Sequence, residues 1–481
     1  MSAAGEPRTP RTTVVIAGAT GFVGKALAPA LAGEHRVIGL SRGERPPGGG
    51  FDAFRRCDLF SALDAERALE GATHAVYLVH SMMPSAHLTQ GDFRDLDLIC
   101  ADNFARAAAL HGVRQIVYLG GLLPERGSLS PHLQSRLEVE QTLGAHGVPV
   151  TALRAGLVIG PGGSSFEMLT RLVRRLPAMA CPEWTQTRMR PIALDDVVAL
   201  IRFCIGREEC LDERFDIGSP DVLTYRELMG LTAELLDKDR PMMPVPLMTP
   251  GLSRLWVSAV TGAPKALVEP LVESLRHEMI GQDRRLHDLA GVPGLGARAS
   301  IERALAVSPV SSAGPSAGDS APSAGDSAPR AFHSAAGARD RRVRSVQRLP
   351  LPAGRDAAWA AQEYIAWLPR FFRGALRASV DDHGVCRFHF GDTPLVLLEL
   401  SHAPERSRPD RQLFYLTGGV LARRTPRGRF ELREALGGEA LLAAIHDFEP
   451  TLPWPIYTTT QAPFHAWVMA AFGRHLRRAA A

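Results

Sequence analysis

Gly18-Ala19-Thr20-Gly21-Phe22-Val23-Gly24 comes directly after the apolar run Val14 to Ala17 and opens an apolar-periodic stretch from Lys25 to Leu31. Glycines at this spacing allow a tight turn and let the backbone approach a pyrophosphate, whose charge the N–H groups at the start of the following helix can meet. Gly18, Thr20, Gly21, Phe22, Val23 and Gly24 are therefore expected to bind a dinucleotide. The second apolar run ends Gly39-Leu40-Ser41-Arg42, with no acid where NAD binders usually place one. Ser41 can donate a hydrogen bond and Arg42 can pair with a phosphate, so NADP(H) is favoured over NAD(H). A solvent arginine on a loop is the plainer alternative for Arg42.

Two further loops follow strands of the same pattern, at the edge where such folds hold ligands. Cys57-Asp58-Leu59 places Asp58 and Leu59 to bracket an adenine, and Val79-His80-Ser81-Met82 places Val79 and His80 under a nicotinamide ribose. His80 reads equally as a loop histidine satisfied by backbone. His132 and Arg136 are spaced i and i+4, on one face of a helix. A histidine can act as general acid or base near neutrality, and the arginine can hold a ribose or phosphate. Catalysis, ligand contact and helix capping all remain open for His132.

The elements that must position these residues alternate from 12 to about 160. Strands are expected at 14–17, 36–40, 75–79, 115–119 and 150–154, with helices at 25–31, 97–111 and 133–145. Apolar strands without polar alternation are buried on both faces, so the pattern predicts a doubly wound parallel sheet of the Rossmann kind over 12–160. A second lobe over 161–305 adds helices at 166–176, 195–205, 225–236, 252–260 and 264–278 and a strand at 214–218, while 241–250 reads as too proline-rich for either. Asp195 and Asp196 read as helix-capping residues.

Pro-Ser-Ala-Gly-Asp-Ser-Ala occurs twice, at 315–321 and 322–328, and predicts a flexible linker over 307–342. The arginines from Arg339 to Arg348 read as charged solvation of the next domain's start. From 343 to 481 a helix at 357–372, strands at 385–390, 395–401, 412–417, 428–433 and 443–448, and a final helix at 461–478 predict a separate α+β domain, with its pocket between helix and curved sheet. Its element order loosely resembles helix-grip folds that bind lipids and polyketides. His446, Asp447 and His465 have no established metal-ligand spacing, and no metal is expected.

Composition bounds the remainder. The chain has 481 residues, 45% hydrophobic and 22% charged, which excludes disorder as its main state. A net charge of +4 gives no field with which to attract nucleic acid. Six cysteines without CxxC spacing, a start without an apolar signal, and no run of 18 apolar residues predict a cytoplasmic protein with no transmembrane segment, leaving peripheral membrane contact open.

Taken together, the glycine turn, Tyr77-Leu78-Val79-His80-Ser81-Met82, Val117-Tyr118-Leu119-Gly120-Gly121-Leu122, Leu129-Ser130-Pro131-His132-Leu133, Leu153-Arg154-Ala155-Gly156 and Arg190-Pro191-Ile192-Ala193 are similar to the atypical branch of the short-chain dehydrogenase/reductase superfamily. The resemblance covers roughly 12–300 and is to proteins of the kind of bacterial YbjT and the Rossmann subunit of respiratory complex I. Typical members carry Ser at the end of the fourth main strand, and Tyr and Lys four apart on the next helix. Here Gly120-Gly121, His132 and Arg136 stand in those places, so the resemblance implies altered roles for all three. It also implies a ligand-facing, substrate-side position for Arg154, with a salt bridge as the competing role.

The resulting expectation is an NADP(H)-binding protein transferring hydride on a carbonyl or isoprenoid-like small-molecule substrate. His132 would move the proton, with electrostatic support from Arg136 or Arg154. Two other readings stand beside it: a non-catalytic redox sensor or complex-assembly protein with a protein partner, and a C-terminal domain that carries a lipid or quinone-like apolar ligand.

Overall fold

The computed structural model describes residues 11–80, 88–124, 127–245, 258, 273–307 and 342–479. The expected linker repeat, the helix at 252–260 other than Ser258, most of the helix at 264–278, Ser81, Met82, Arg339 and Arg341 lie outside the described residues. By contacts the chain divides into two compact units. Met1–Asp58, Leu63–His80 and Arg106–Ala335 form the first, and Leu59–Ala62, Ser81–Ala105 and Ala336–Ala481 form the second.

The first unit is built on seven strands: β1 (Thr13–Ala17), β2 (Arg36–Ser41), β3 (Ala53–Arg56), β4 (His74–Tyr77), β5 (Gln115–Gly121), β6 (Val150–Ala155) and β7 (Arg214–Ile217). They lie in the order β7-β6-β5-β4-β1-β2-β3, with every neighbouring pair parallel. This is a Rossmann sheet, with its order reversing beside β1 and β4. β1 and β4 are buried at every position, as continuous apolar strands between two helical layers must be. Helices α1 (Phe22–Leu31), α2 (Phe93–Leu110), α3 (Pro131–Gly144), α4 (Ser164–Arg175), α5 (Leu194–Cys204) and α6 (Tyr225–Leu235) follow in the chain, and the boundary between units falls inside α2. Among the described residues no helix is long and apolar enough to cross a membrane.

Two expectations for this unit are corrected. Met242–Val245 is a strand despite Pro244, because it pairs only with Met179–Pro182 at the edge of a two-stranded sheet, where a missing N–H is tolerated. Asp195 and Asp196 do not cap α5, whose cap residue is Ala193 without a side-chain bond. Asp196 instead accepts from the Leu295 N–H at 2.7 Å, and Asp195 pairs with Arg303.

The second unit is a mixed α+β domain. Strands β8 (Val343–Pro350), β9 (Leu376–Val380), β10 (Val385–Phe390), β11 (Val396–His402), β12 (Arg411–Gly418), β13 (Arg429–Ala435) and β14 (Ala440–Pro450) form an antiparallel path β9-β10-β11-β12-β13-β14-β8, and Leu88–Gln90 adds in parallel to β8. Helices α7 (Ala357–Phe371) and α8 (Gln461–Ala479) cover one face of the sheet, enclosing Phe388, Leu400, Leu416, Leu432, Leu441 and Phe472. Arg344 and Arg348, expected in a solvated basic stretch, sit inside β8. There Arg348 donates to Asp95 at 2.9 Å and Arg344 stacks on Phe60.

On the opposite face, Arg429, Glu431 and Arg433 alternate along β13 and are all buried. Leu96, Leu98, Ile99 and Cys100 of α2 form a small apolar cluster there with Phe60, Val346, Leu442 and Ala444. Arg433 is fully buried and donates to Glu431 and, at 2.5 Å, to Asp102, while Arg411 donates to Glu431 at 2.5 Å. Burial pushes the Glu431 carboxyl up, but Arg433 and Arg411 outweigh it and hold the group well below the usual carboxylate range. His446 lies 3.1 Å from the other Glu431 oxygen, and Asp447 lies among Arg342, Arg344 and Arg429 at 3.8–3.9 Å. His446 and Asp447 thus belong to an ionic network.

Candidate active site

The glycine turn is built as its spacing requires. Gly18 has φ +85°, and a Cβ there would stand 3.0 Å from the Leu78 backbone. A Cβ on Gly24 would stand 2.5 Å from the Gly18 carbonyl oxygen, so α1 can begin against the turn only because that position is glycine. The Gly21 N–H donates to the Gly18 carbonyl at 2.9 Å, and α1 starts with no side-chain cap. Its first-turn N–H groups therefore face the end of β1 as a ready anion site. Thr20 is half-buried in the turn. The Phe22 ring packs on Gly160 and Gly163, and Val23 packs on the sheet core, so both can meet a phosphate only through the main chain.

At the end of β2, Ser41 is buried and accepts from Arg45 Nε at 3.2 Å, whereas Arg42 is exposed. Arg45 is a second cation here that the sequence reading did not single out; it stands four residues beyond Ser41 in an irregular loop. Asp58 is half-buried after β3. The Leu59 side chain packs on the Phe60 and Leu96 cluster of the second unit, and its carbonyl accepts from Asn103 at 2.8 Å.

Val79 and His80 follow β4 and are half-buried. His80 Nε2 lies 3.2 Å from His132 Nδ1, with ring centroids 4.9 Å apart. Ser130 caps α3, accepting from the Leu133 N–H at 3.3 Å and meeting Ser274 Oγ at 3.0 Å, and Pro131 fills the first helical position. The cap role considered for His132 is therefore Ser130's. His132 stands in the first turn with its ring against His80.

Arg136, one turn on, donates to the Leu119 carbonyl at the end of β5 and lies 5.0 Å over the Tyr118 ring, whose hydroxyl donates to the Arg136 carbonyl at 3.1 Å. Gly120 has a local reason: a Cβ there would meet the Tyr118 ring at 3.0 Å. For Arg154 an ion pair is seen, the reading that competes with a substrate-side position. Its guanidinium is held bidentately by buried Glu140 of α3, at 3.0 and 2.7 Å, and Arg214 shares the same carboxylate at 2.8 Å.

His132 lines a cavity of about 170 Å³ in the first unit, walled by Leu122, Leu133, Leu169, Met229 and Met279 among others, with no arginine, lysine or acid among the described residues of its lining. Two donors in this wall went unremarked in the sequence reading. Trp184 Nε1 is buried with no hydrogen-bond partner, and the Tyr225 hydroxyl has none among the described residues. Their rings meet edge-on at 6.1 Å, and burial pushes the Tyr225 phenol up, keeping it a donor. Trp184 stands in the short 3-10 helix Glu183–Gln186 and Tyr225 opens α6, some forty residues away, so no local pattern signals that they meet.

Residues 14–218 match the NAD dependent epimerase/dehydratase family. Over 143 residues the chain is 32% identical to the auxiliary protein GraX of Staphylococcus aureus, a match covering 28% of this chain and 42% of GraX. Over 268 residues it is 23% identical to UDP-glucose 4-epimerase of Vibrio cholerae, covering 50% of this chain and 81% of that enzyme. A nucleoside-diphosphate-sugar epimerase structure from Staphylococcus aureus aligns with TM-score 0.49 at 16% identity, over 60% of this chain and 100% of that one. The chain thus spans less than half the length of GraX. Its first unit carries the NAD(P)-binding Rossmann fold of epimerases and oxidoreductases, and an α+β domain is added C-terminally.

Proposed function

We propose that the first unit binds NADP(H) and transfers hydride between the nicotinamide and a small, mostly apolar carbonyl substrate, as an atypical short-chain dehydrogenase/reductase. The uncapped start of α1 and the Gly18 turn fit a pyrophosphate, and exposed Arg42 beside Ser41 fits a 2′-phosphate. The observation that carries the reading is the His80–His132 contact at the wall of an apolar pocket.

The cofactor, when bound, supplies or takes up the hydride at the carbonyl carbon. The chain's own residues handle the proton. In the reductive direction the doubly protonated His132, its Nδ1–H donating to His80 Nε2, gives its Nε2 proton to the carbonyl oxygen and returns to the neutral imidazole. His80 then supports the ring that has lost it. Trp184 and Tyr225 would bind a further acceptor oxygen of the substrate and orient it. Among the described residues the pocket lining is apolar or neutral, which fits a carbonyl compound better than a nucleotide-sugar diphosphate.

The test is NADPH oxidation over a panel of apolar aldehydes, ketones and quinones by the full chain and by His132→Ala. The variant should lose about 10²–10⁴-fold in kcat while still binding NADPH in calorimetry. Undiminished turnover in the variant would overturn the assignment of the proton to His132. Tight NADPH binding with no turnover on the whole panel would favour the non-catalytic reading.

A further inference from the structure

The second unit encloses a cavity of about 360 Å³ between the sheet and the helices α7 and α8. That volume is in the range of sites for organic ligands. Its walls are apolar, with Leu368, Leu398, Leu400, Leu416 and Phe430 among them, and among the described residues contain no arginine, lysine or carboxylate. Phe390 and Phe464 line it while remaining 54% and 51% exposed, which marks where it opens to solvent.

The same lining holds four polar side chains with unmet hydrogen-bonding capacity. Gln461 Nε2 donates to the Leu421 carbonyl at 3.2 Å, which turns Oε1 the other way, and that oxygen is buried without a partner. His465, one turn along α8, and the hydroxyls of Tyr364 and Tyr457 have no hydrogen-bond partner among the described residues. Burial lowers the His465 pKa to about 4, so its ring is neutral near pH 7 and offers no charge. Buried polar groups are nearly always paired, and those lining a ligand-sized cavity are paired by what enters it.

We propose that this cavity binds an uncharged, mostly apolar molecule carrying a hydrogen-bond donor, a hydroxyl or N–H, that meets Gln461 Oε1. Among the described residues the wall holds no cation, which sets such a molecule apart from fatty acids and other anionic amphiphiles. The inference is independent of the chemistry assigned to the first unit.

The experiment titrates the full chain, saturated with NADPH, with the fluorescent probe N-phenyl-1-naphthylamine, which has one N–H, and with 1-phenylnaphthalene, which has none. Gln461→Leu should weaken the first probe about three- to tenfold and leave the second unchanged. Leu398→Trp, at a partly buried wall position, should weaken both at least about tenfold if it folds, as read by circular dichroism. At pH 8, cis-parinarate should bind at least about tenfold more weakly than the N–H probe, as an anion without a counterion. Equal binding of the N–H probe by wild type and Gln461→Leu would overturn the proposal, as would full binding by a folded Leu398→Trp chain. Preference for cis-parinarate would overturn it too. Should Leu398→Trp not fold, the Gln461→Leu comparison of the two probes decides alone.

Discussion

Arg433 of the second unit and Arg42 of the first are both guanidiniums placed by a strand, yet Arg433 is fully buried between Glu431 and Asp102 and Arg42 is exposed just past β2. The contrast extends to the rest of each region. In the second unit Arg411, Arg429 and Arg433 stand with Glu431, Asp102 and Asp447, with Arg342 and Arg344 also beside Asp447, so each carboxylate faces at least one guanidinium. In the first unit the glycine turn, Arg42, Trp184 and Tyr225 leave donors facing open space. A buried charge requires a partner. Where the chain supplies that partner the group holds structure, and where it does not the group is placed for a ligand.

The largest expected effect tests the structural half of this contrast. Asp102→Ala leaves Arg433 buried without one of its carboxylates and should destabilise the second unit by about 3–5 kcal/mol, read by denaturant unfolding followed through tryptophan fluorescence. A loss typical of surface ion pairs, below about 1 kcal/mol, would mean the network is solvated and the contrast false.

Acidification gives the next effect. Burial, and then Arg429, lower the His446 pKa to about 3, against the opposing pull of Glu431. The unfolded chain protonates this ring near 6.5 and the folded chain does not, so the stabilisation is complete above pH 6.5 and is lost as pH falls toward 3. Glu431, with its pKa lowered, acts in the same direction at lower pH. Stability should decline by about 1 kcal/mol per pH unit below 6.5, and His446→Gln should flatten the upper part of that decline.

On the ligand side, Arg42→Ala should weaken NADPH about 10- to 100-fold, the scale of a charged hydrogen bond, and NADH far less. Equal losses in calorimetry would remove the 2′-phosphate assignment. The smallest effect is expected at Trp184: Trp184→Phe should raise KM a few-fold with kcat little changed, since one neutral hydrogen bond contributes about 1 kcal/mol. No change with any substrate that turns over would leave the indole without a ligand role.

Much of the first unit was legible because its signals are local. A glycine turn between an apolar strand and a helix, and strands apolar at every position, report the parallel sheet directly. β3 was missed because its residues are only partly buried at the sheet edge and carry Arg55 and Arg56. In the second unit the alternation Arg429-Phe430-Glu431-Leu432-Arg433 gives a strand with one solvated face, yet both faces are covered. What covers the charged face comes from residues 59–62 and 93–105, and pairing across 331 positions, as between Asp102 and Arg433, leaves no periodic trace in the chain. The site divides likewise. The turn was readable residue by residue, whereas the commitment of Arg154 to Glu140 and the meeting of His80 with His132 depend on where helix α3 docks.

The early strand Leu88–Gln90 and the first part of α2 also set a timetable for synthesis. Asp95 and its partner Arg348 are 253 residues apart, so at 5–20 residues per second a ribosome needs roughly 13 to 50 s between them. Through that interval the nascent chain presents Leu96, Leu98, Ile99 and Cys100 with nothing from β8, β13 or β14 to cover them. A message cut short before codon 343 would release a chain with that apolar row permanently bare, a ready substrate for chaperones and for aggregation.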